Sequence, residues 1–350
     1  MRGHWMFEQA GHLNKFWHVC AFSHEIKQTP LGIKIYNTPI VLWRDNKQKI
    51  YALLDSCPHR GSPLSAGHCH GNTISCPYHG WTFDHNGTCI SVPCENPRFK
   101  FRKKVPTFEV KEDIGLVWIY LDHCTGAKQE PFSLASYQKN DWHFIYRKQL
   151  FKTNAALLIE NFMDSSHTSF VHKGLIRGIS QKTERKVEVK CEEHSVLVSH
   201  PATKEKVGIG SNLLIGKNAE VSHTDEFILP SIVKVDYKFK PKKRGFLAFI
   251  FCTPTSANET MAHVMIGLRF GVWSYLIKPI LPALIRKILN QDEEITRLQH
   301  ENKRLLGQGE CDAPSDYMHR QVKILRERYL GQEKDQTDYQ TSTKQFSVWF

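Results

Sequence analysis

Two short segments of this 350-residue chain concentrate residue types that bind metals. Cys57-Pro-His59-Arg-Gly61 and Cys76-Pro-Tyr-His79-Gly-Trp81 each pair one thiol with one imidazole. The spacing is C-x-H, then 16 residues, then C-x2-H. Pro and Gly beside the ligands mark both as turns, and two such turns can face each other around a metal centre. Two chemistries fit this set. Cys2His2 is a tetrahedral zinc set, but in the common zinc finger both Cys precede both His, whereas each segment here is mixed. A Rieske [2Fe–2S] centre puts two His on one iron and two Cys on the other, which suits mixed pairs. Chance assembly of both half-motifs and their flanks is the poorest account. Nearby, His68-Cys69-His70, His85, Cys89 and Cys94 have no matching second cluster. They read as turn residues or small packed hydrophobes.

A [2Fe–2S] centre moves electrons, so it needs an acceptor. Glu160-Asn161-Phe-Met-Asp164-Ser-Ser-His167-Thr-Ser-Phe-Val-His172 supplies candidates. Asp164 and His167 stand i, i+3, on one face of a helix. His167 and His172 are five apart, about 140° around an ideal helix. They face one metal only if a π-type irregularity occurs or the helix ends between them, and Gly174 favours an end. Two His and one carboxylate make the facial triad of non-haem Fe(II) oxygenases. The C-terminal run Asp292-Glu293-Glu294 offers the carboxylate. Taken alone it reads as the solvated acidic start of a helix.

These residues carry a resemblance. The two Cys/His segments resemble the Rieske domain of the Rieske-type non-haem iron oxygenases, the ring-hydroxylating oxygenase family. Phe83-Asp84, Gly87, Val41-Leu-Trp-Arg44 and Leu64-Ser65 stand around them as in that family. The likeness covers about the first 120 residues, and Asn161, Asp164, His167 and His172 extend it to the second half. It implies that Cys57, His59, Cys76 and His79 hold a Rieske [2Fe–2S] cluster and that His167 and His172 hold a mononuclear Fe(II). Asp292, with Gln299 seven residues later, is similar to the family's third ligand, and Glu293 and Glu294 are the fallback. Asp164 resembles the acid that links one subunit's catalytic His to a cluster ligand of its neighbour, here His79. That implies a head-to-tail homotrimer, because in the family the two metal sites of one chain lie too far apart.

The fold implied is α+β: an N-terminal all-β Rieske domain and a C-terminal helix-grip (START-like) domain. The activity implied is that of a terminal oxygenase, which uses O2 to hydroxylate or demethylate a small organic substrate. The chain's length resembles homotrimeric hydroxylases and demethylases rather than longer dihydroxylase α-subunits, so monooxygenation is favoured over cis-dihydroxylation. No G-x-G-x-x-G lies between strand and helix for NAD or flavin. A ferredoxin and/or an NAD(P)H-dependent reductase is therefore the expected electron donor. The alternative is a Rieske electron-transfer or redox-sensing protein without oxygenase activity.

The elements that must position these residues follow from pattern. Ile33–Tyr36, Ile40–Trp43, Ile50–Leu54, Gly80–Phe83 and Gly115–Leu121 read as short strands between turn signals. Thr153 to Phe170 reads as a helix, as does Trp273 to about Leu306. Lys186–Val189, Ser195–Val198, Ile232–Tyr237, Gly245–Cys252 and 262–270 read as strands of the second sheet. The expected domains are 1–125 (Rieske), a linker at 126–141, 142–330 (catalytic) and a polar tail at 331–350, loose as far as Gln345. Phe162, Phe170, Phe227 and Trp273 are core residues or pocket lining.

Composition is that of an ordinary globular chain, 41% hydrophobic and 23% charged, which excludes disorder and coiled coil. Ten Cys are too sparse for a disulfide scaffold, so a reducing cytoplasm is expected. The net charge is +12. Arg98, Lys100, Arg102, Lys103 and Lys104 are a solvated basic stretch or a docking face for an acidic donor. Lys238, Lys240, Lys242, Lys243 and Arg244 read as a hairpin tip, and no motif supports nucleic-acid binding. The N-terminus has no apolar core of signal-peptide length. Val272 to Leu289 contains Lys278, Pro279, Pro282 and Arg286 and fails as a membrane span. It reads as a buried or half-buried helix, with a helix lying on a membrane surface as the lesser alternative, and membrane contact is not expected.

Overall fold

The computed structural model describes residues 6–96, 101, 104–138, 141–176, 184–203, 220–240, 244–307, 309, 311–331 and 341–349. The chain forms two compact units, Met1–Leu134 and Ala135–Phe350. Residues 126–134, expected in a linker, are held to the first unit. Trp17 Nε1 donates to the Gln129 carbonyl at 2.7 Å, and Leu134 is fully buried.

The first unit is all-β. Three antiparallel sheets run β1 (Trp17–Phe22)–β10 (Leu116–Tyr120)–β9 (Glu109–Asp113), β2 (Leu31–Ile35)–β3 (Thr38–Arg44)–β4 (Ile50–Leu54), and β5 (His68–His70)–β6 (Thr73–Ser75)–β7 (Thr82–Asp84)–β8 (Cys89–Ser91). β1 and β10 are buried along their whole length, and their apolar runs carry no alternation. Tyr36 and Asn37 join β2 to β3 with positive φ at both positions, a type I′ hairpin whose twist matches its strands. Buried Arg44 ties the β2–β4 sheet to β9 through a 3.0 Å ion pair with Glu112.

The second unit is an eight-stranded antiparallel sheet with helices on one face. Its order is β11 (His143–Phe151), β17 (Glu259–Arg269), β16 (Arg244–Ser256), β15 (Ile232–Lys240), β14 (Glu220–Ile228), β13 (Ser195–Thr203), β12 (Glu184–Cys191) and β18 (Ser342–Trp349). The turn α1 (Ala135–Gln138) leads into it. α2 (Ala155–Met163) packs on β14 to β17 and buries Leu157, Leu158, Ile159 and Met163. The long α4 (Leu281–Leu306) lies against β11 and α2, and α5 (Tyr317–Leu330) against β13 and α2. The Gln149 side chain donates to the Leu289 carbonyl of α4, which identifies the helix-facing side of the sheet. By strand alternation His143, Leu268, Phe246, Tyr237, His223 and His200 form one cross-strand row on that face.

Several elements differ from the sequence reading. The C-terminal helix is two helices, α3 (Val272–Ile277) and α4, separated at Lys278-Pro279-Ile280 because proline cannot continue a helix. Ser342 to Gln345, expected to be loose, begin β18. That strand pairs with β12 along eight register positions and buries only Val348, so backbone hydrogen bonds hold it rather than an apolar face. β11, β14 and α5 have no counterpart in the reading. β14 points His223 and Asp225 inward beside Val221 and Phe227, which hides its alternation. Of the basic stretch at 98–104, only Lys104 lies within the described residues, and Lys242 and Lys243 also lie outside them.

Candidate metal centres

The two Cys/His segments fold as matched loops. The Cys57 amide donates to the Ser62 carbonyl and the Cys76 amide to the Trp81 carbonyl, each at 2.8 Å and five residues on. The amides of Gly61 and Gly80, four residues on, donate back to the carbonyls of Cys57 and Cys76. Gly61 and Gly80 have φ of 73° and 70°, where a side chain is strained, so each loop closes tightly only on glycine. Asp55 braces the first loop's flank by accepting from the Ser65 amide and hydroxyl at 2.7 and 2.6 Å.

Both thiols sit in the core with Val41, Trp43, Leu53, Leu64 and Phe83. Burial pushes the Cys57 thiol up to about 11, and the adjacent Cys76 thiol adds to the rise. The His59 and His79 rings lie 4.7 Å apart, and Trp81 stacks on His59 at 4.7 Å and 8°. Burial holds His59 below its usual range, with His79 and Arg60 adding to the effect. Nδ1 of His79 is buried without a hydrogen bond among the described residues. An orphaned imidazole nitrogen beside two buried thiols is costly unless something ligates it, so the cradle fits a bound cluster. Cys69 and Cys89 pack at the edge of this core, and His85 contacts Asn72 and Tyr51, in keeping with packing roles.

The second group converges in the second unit. α2 is capped at its start by Asn154, whose Oδ1 accepts from the Leu157 amide at 2.9 Å. It ends at Met163 with Asp164 as its C-cap, so Asp164 and His167 do not share a helical face. His167 opens a 3-10 turn instead, and the break frees His167 and His172 to turn toward α4. His172 Nε2 lies 3.0 Å and His167 Nε2 3.4 Å from Asp292 Oδ1. His172 and Asp292 are each 1% exposed.

Both remaining ring nitrogens are occupied. His172 Nδ1 donates to Gln291 Oε1 at 3.0 Å, and His167 Nδ1 donates to the Asp164 carbonyl. With Nδ1 so engaged, Nε2 is the nitrogen each ring turns toward Asp292, and it is the one that would ligate an ion once deprotonated. One ligand atom from each of His167, His172 and Asp292 lies within 4.8 Å of the others, close enough to share one ion. Asn161 Nδ2 donates to Asp292 Oδ1 at 3.0 Å. Burial alone would raise Asp292, but hydrogen bonds from His167, His172 and Asn161 outweigh it and hold the carboxyl below its ordinary range. For His167, burial acts downward, and Asp292 and Asp164 overcome it to raise the imidazole. This buried, anionic, two-imidazole set fits a divalent cation such as Fe(II).

Glu293, Glu294 and Gln299 stay outside this group, and Glu294 and Gln299 are exposed. Asp164 caps the following turn, accepting from the Ser166 amide and hydroxyl through Oδ1, with Oδ2 4.0 Å from His167 Nδ1. Gln291 was missed, since nothing in the sequence separates it from an ordinary helix glutamine. Gln291→Leu removes the acceptor that fixes the His172 tautomer. Metal titration of this variant is expected to show iron affinity falling roughly 10- to 100-fold, with the fold retained.

His200, His223 and Asp225 form another buried cluster, also missed, with both Nε2 atoms 3.1 and 3.0 Å from Asp225 Oδ2. The imidazoles stack at 3.9 Å and 9°, so their lone pairs run parallel and cannot meet on one ion. This cluster is a hydrogen-bonded network in which both imidazoles face Asp225 Oδ2. Burial alone would raise Asp225, and the two imidazoles hold it far below its usual range.

Residues 16–109 match the Rieske [2Fe-2S] domain family, and residues 151–329 match the vanillate O-demethylase oxygenase C-terminal domain family. The methylxanthine N3-demethylase NdmB of Pseudomonas putida is 32% identical over 276 residues, 75% of this chain and 76% of that protein. The chain belongs to the Rieske non-haem iron oxygenases. The methylxanthine N1-demethylase NdmA of Pseudomonas putida is 33% identical over 176 residues, a match that spans 48% of this chain and 50% of that relative. A crystal structure of dicamba monooxygenase bound to dicamba superposes with a TM-score of 0.80, at 21% identity, over 92% of this chain and 98% of that one. The last likeness shares the fold, a Rieske β-domain and an α+β domain built on a large antiparallel sheet. As a family member the chain is an oxidoreductase of the class that carries a Rieske [2Fe–2S] cluster and a mononuclear iron, and the oxygenase reading stands over that of a bare electron carrier.

Proposed function

We propose that this chain is a terminal oxygenase component that demethylates or hydroxylates a small organic substrate by monooxygenation. The observation that carries the reading is the convergence of His167, His172 and Asp292, with both free imidazole nitrogens facing one buried carboxylate. Cys57, His59, Cys76 and His79 would hold the [2Fe–2S] cluster, and His167, His172 and Asp292 the Fe(II). When bound, the cluster supplies single electrons and the iron supplies O2 activation.

The chain's own residues supply order and exclusion. Gln291 and the Asp164 carbonyl hold the imidazoles in their ligating tautomers, and Asn161 fixes the carboxylate. Burial of His172 and Asp292 keeps bulk water off that side of the site. Asp164 is the catalytic acid that relays between His167 and His79 of the partner subunit, within a homotrimer. A ferredoxin and/or an NAD(P)H-dependent reductase delivers electrons. The methyl groups removed by the relatives make N- and O-methylated aromatic compounds the first substrates to try. The ten free thiols suit a reducing cytoplasm.

A single-turnover experiment tests this reading. Protein with a chemically reduced cluster is exposed to O2 with and without each methylated compound. Cluster reoxidation accelerated by a compound, with formaldehyde released, is the expected result. Reoxidation at one rate across the panel, without product, in iron-replete protein contradicts it.

A further inference from the structure

The segment between β17 and the start of α4 leaves large apolar side chains in the open. Val272 is 75% exposed, Tyr275 65%, Leu276 62% and Ile280 71%. Val272, Tyr275 and Leu276 are i, i+3, i+4 and share one face of α3. Ser274, on the opposite face, is buried and its hydroxyl accepts from the Phe270 amide at 2.9 Å, so the helix is anchored with its apolar side outward. Tyr275 also packs on the His143 ring at 4.4 Å, which fixes the patch at the end of the sheet's helix-facing row. A core helix would hide the face that this one shows.

Charge states which partner suits the patch. No Asp or Glu occurs between Glu259 and Asp292, while Lys278, Arg286 and Lys287 lie within or just beyond the patch. All three cations are exposed, and none joins an ion pair among the described residues. A protein partner that bound the apolar face would leave those cations unanswered unless it were acidic. An anionic bilayer answers both, taking the apolar face into the acyl boundary and the cations at the headgroups. We propose that α3 and the start of α4 dock this protein on an anionic membrane surface, without spanning it. No described helix is long and apolar enough to cross a membrane. The inference stands independently of the oxygenase reading.

The test is co-sedimentation of the full-length holoprotein with phosphatidylcholine vesicles, with and without a large minority of phosphatidylglycerol. Wild type is expected to pellet with the anionic vesicles and much less with the neutral ones. Y275E/L276E should partition about tenfold more weakly, and V272E, tested separately, should weaken binding in the same direction. K278E/K287E should lose most of the preference for anionic lipid. Visible absorbance of the cluster reports that each variant is folded. Wild type that stays in the supernatant at every lipid concentration overturns the proposal. So does Y275E/L276E that binds like wild type. If wild type fails to bind and sedimentation velocity shows Y275E/L276E losing an oligomer, the patch is an interface between copies and the proposal is wrong.

Discussion

Asp292→Ala protein is expected to purify with its [2Fe–2S] cluster intact and its mononuclear iron missing, and to turn over on the order of a thousandfold more slowly or worse. Asp292 is the sole anionic member of the convergent set, and its carboxylate is the atom group on which both imidazoles close. Two neutral imidazoles hold a divalent cation far more weakly than two imidazoles and a carboxylate. The fold should survive the change. Asp292 is part of what raises His167, so without it the His167 imidazole can be buried neutral. The residual penalty is one unanswered donor, Asn161 Nδ2, worth about 1–3 kcal/mol. Iron content, visible absorbance and a thermal melt separate loss of metal from loss of fold. Asp292→Glu should recover part of the iron, because it restores the charge with a longer reach.

Cys76→Ser removes the other centre. The expected protein is colourless, lacks acid-labile sulfide and turns over no substrate, whatever iron remains bound by His167, His172 and Asp292. Its first unit should also melt earlier, because cluster binding contributes directly to folding a site that has no other filling. Without a cluster the core keeps a buried thiol at Cys57, a hydroxyl at 76 and the orphaned His79 Nδ1. The second unit, with its own core, should unfold as before. Two transitions in calorimetry, with only the first moved, are the expected record. A single unchanged transition together with retained sulfide would show that Cys76 is not a ligand.

The first centre could be read from the sequence because its ligands lie in two short local loops. A turn of five residues holds a Cys and a His together, and Gly61 and Gly80 are visible as the residues that permit it. His167 and His172 stood out as candidate ligands by residue type and spacing, but Asp292 could be picked from its acidic run only through resemblance. Their meeting depends on contacts 119 to 131 residues apart, such as His172 with Gln291 and Asn161 with Asp292. No local periodicity encodes such contacts. The helix expected over Thr153–Phe170 shows the same limit, since it stops at Met163 where the site needs the chain to turn. β14 escaped because its inward His223 and Asp225 look like surface residues, and only the partner on β13, His200, explains their burial. β18 escaped because a polar strand held by backbone pairing has no apolar signature. The exposed face of α3 was legible as an apolar run, but which side of it faces outward depends on the anchoring of Ser274.

The most direct measurement is iron and acid-labile sulfide per chain on anaerobically purified protein, with low-temperature EPR of the reduced state. Two built sites predict about three irons and two sulfides with a Rieske-type signal. The same assay on Asp292→Ala should give about two irons with sulfide unchanged. Zinc without sulfide would contradict the reading of the first centre. About two irons and two sulfides in wild type, with no further Fe(II) taken up on soaking, would contradict the reading of the second.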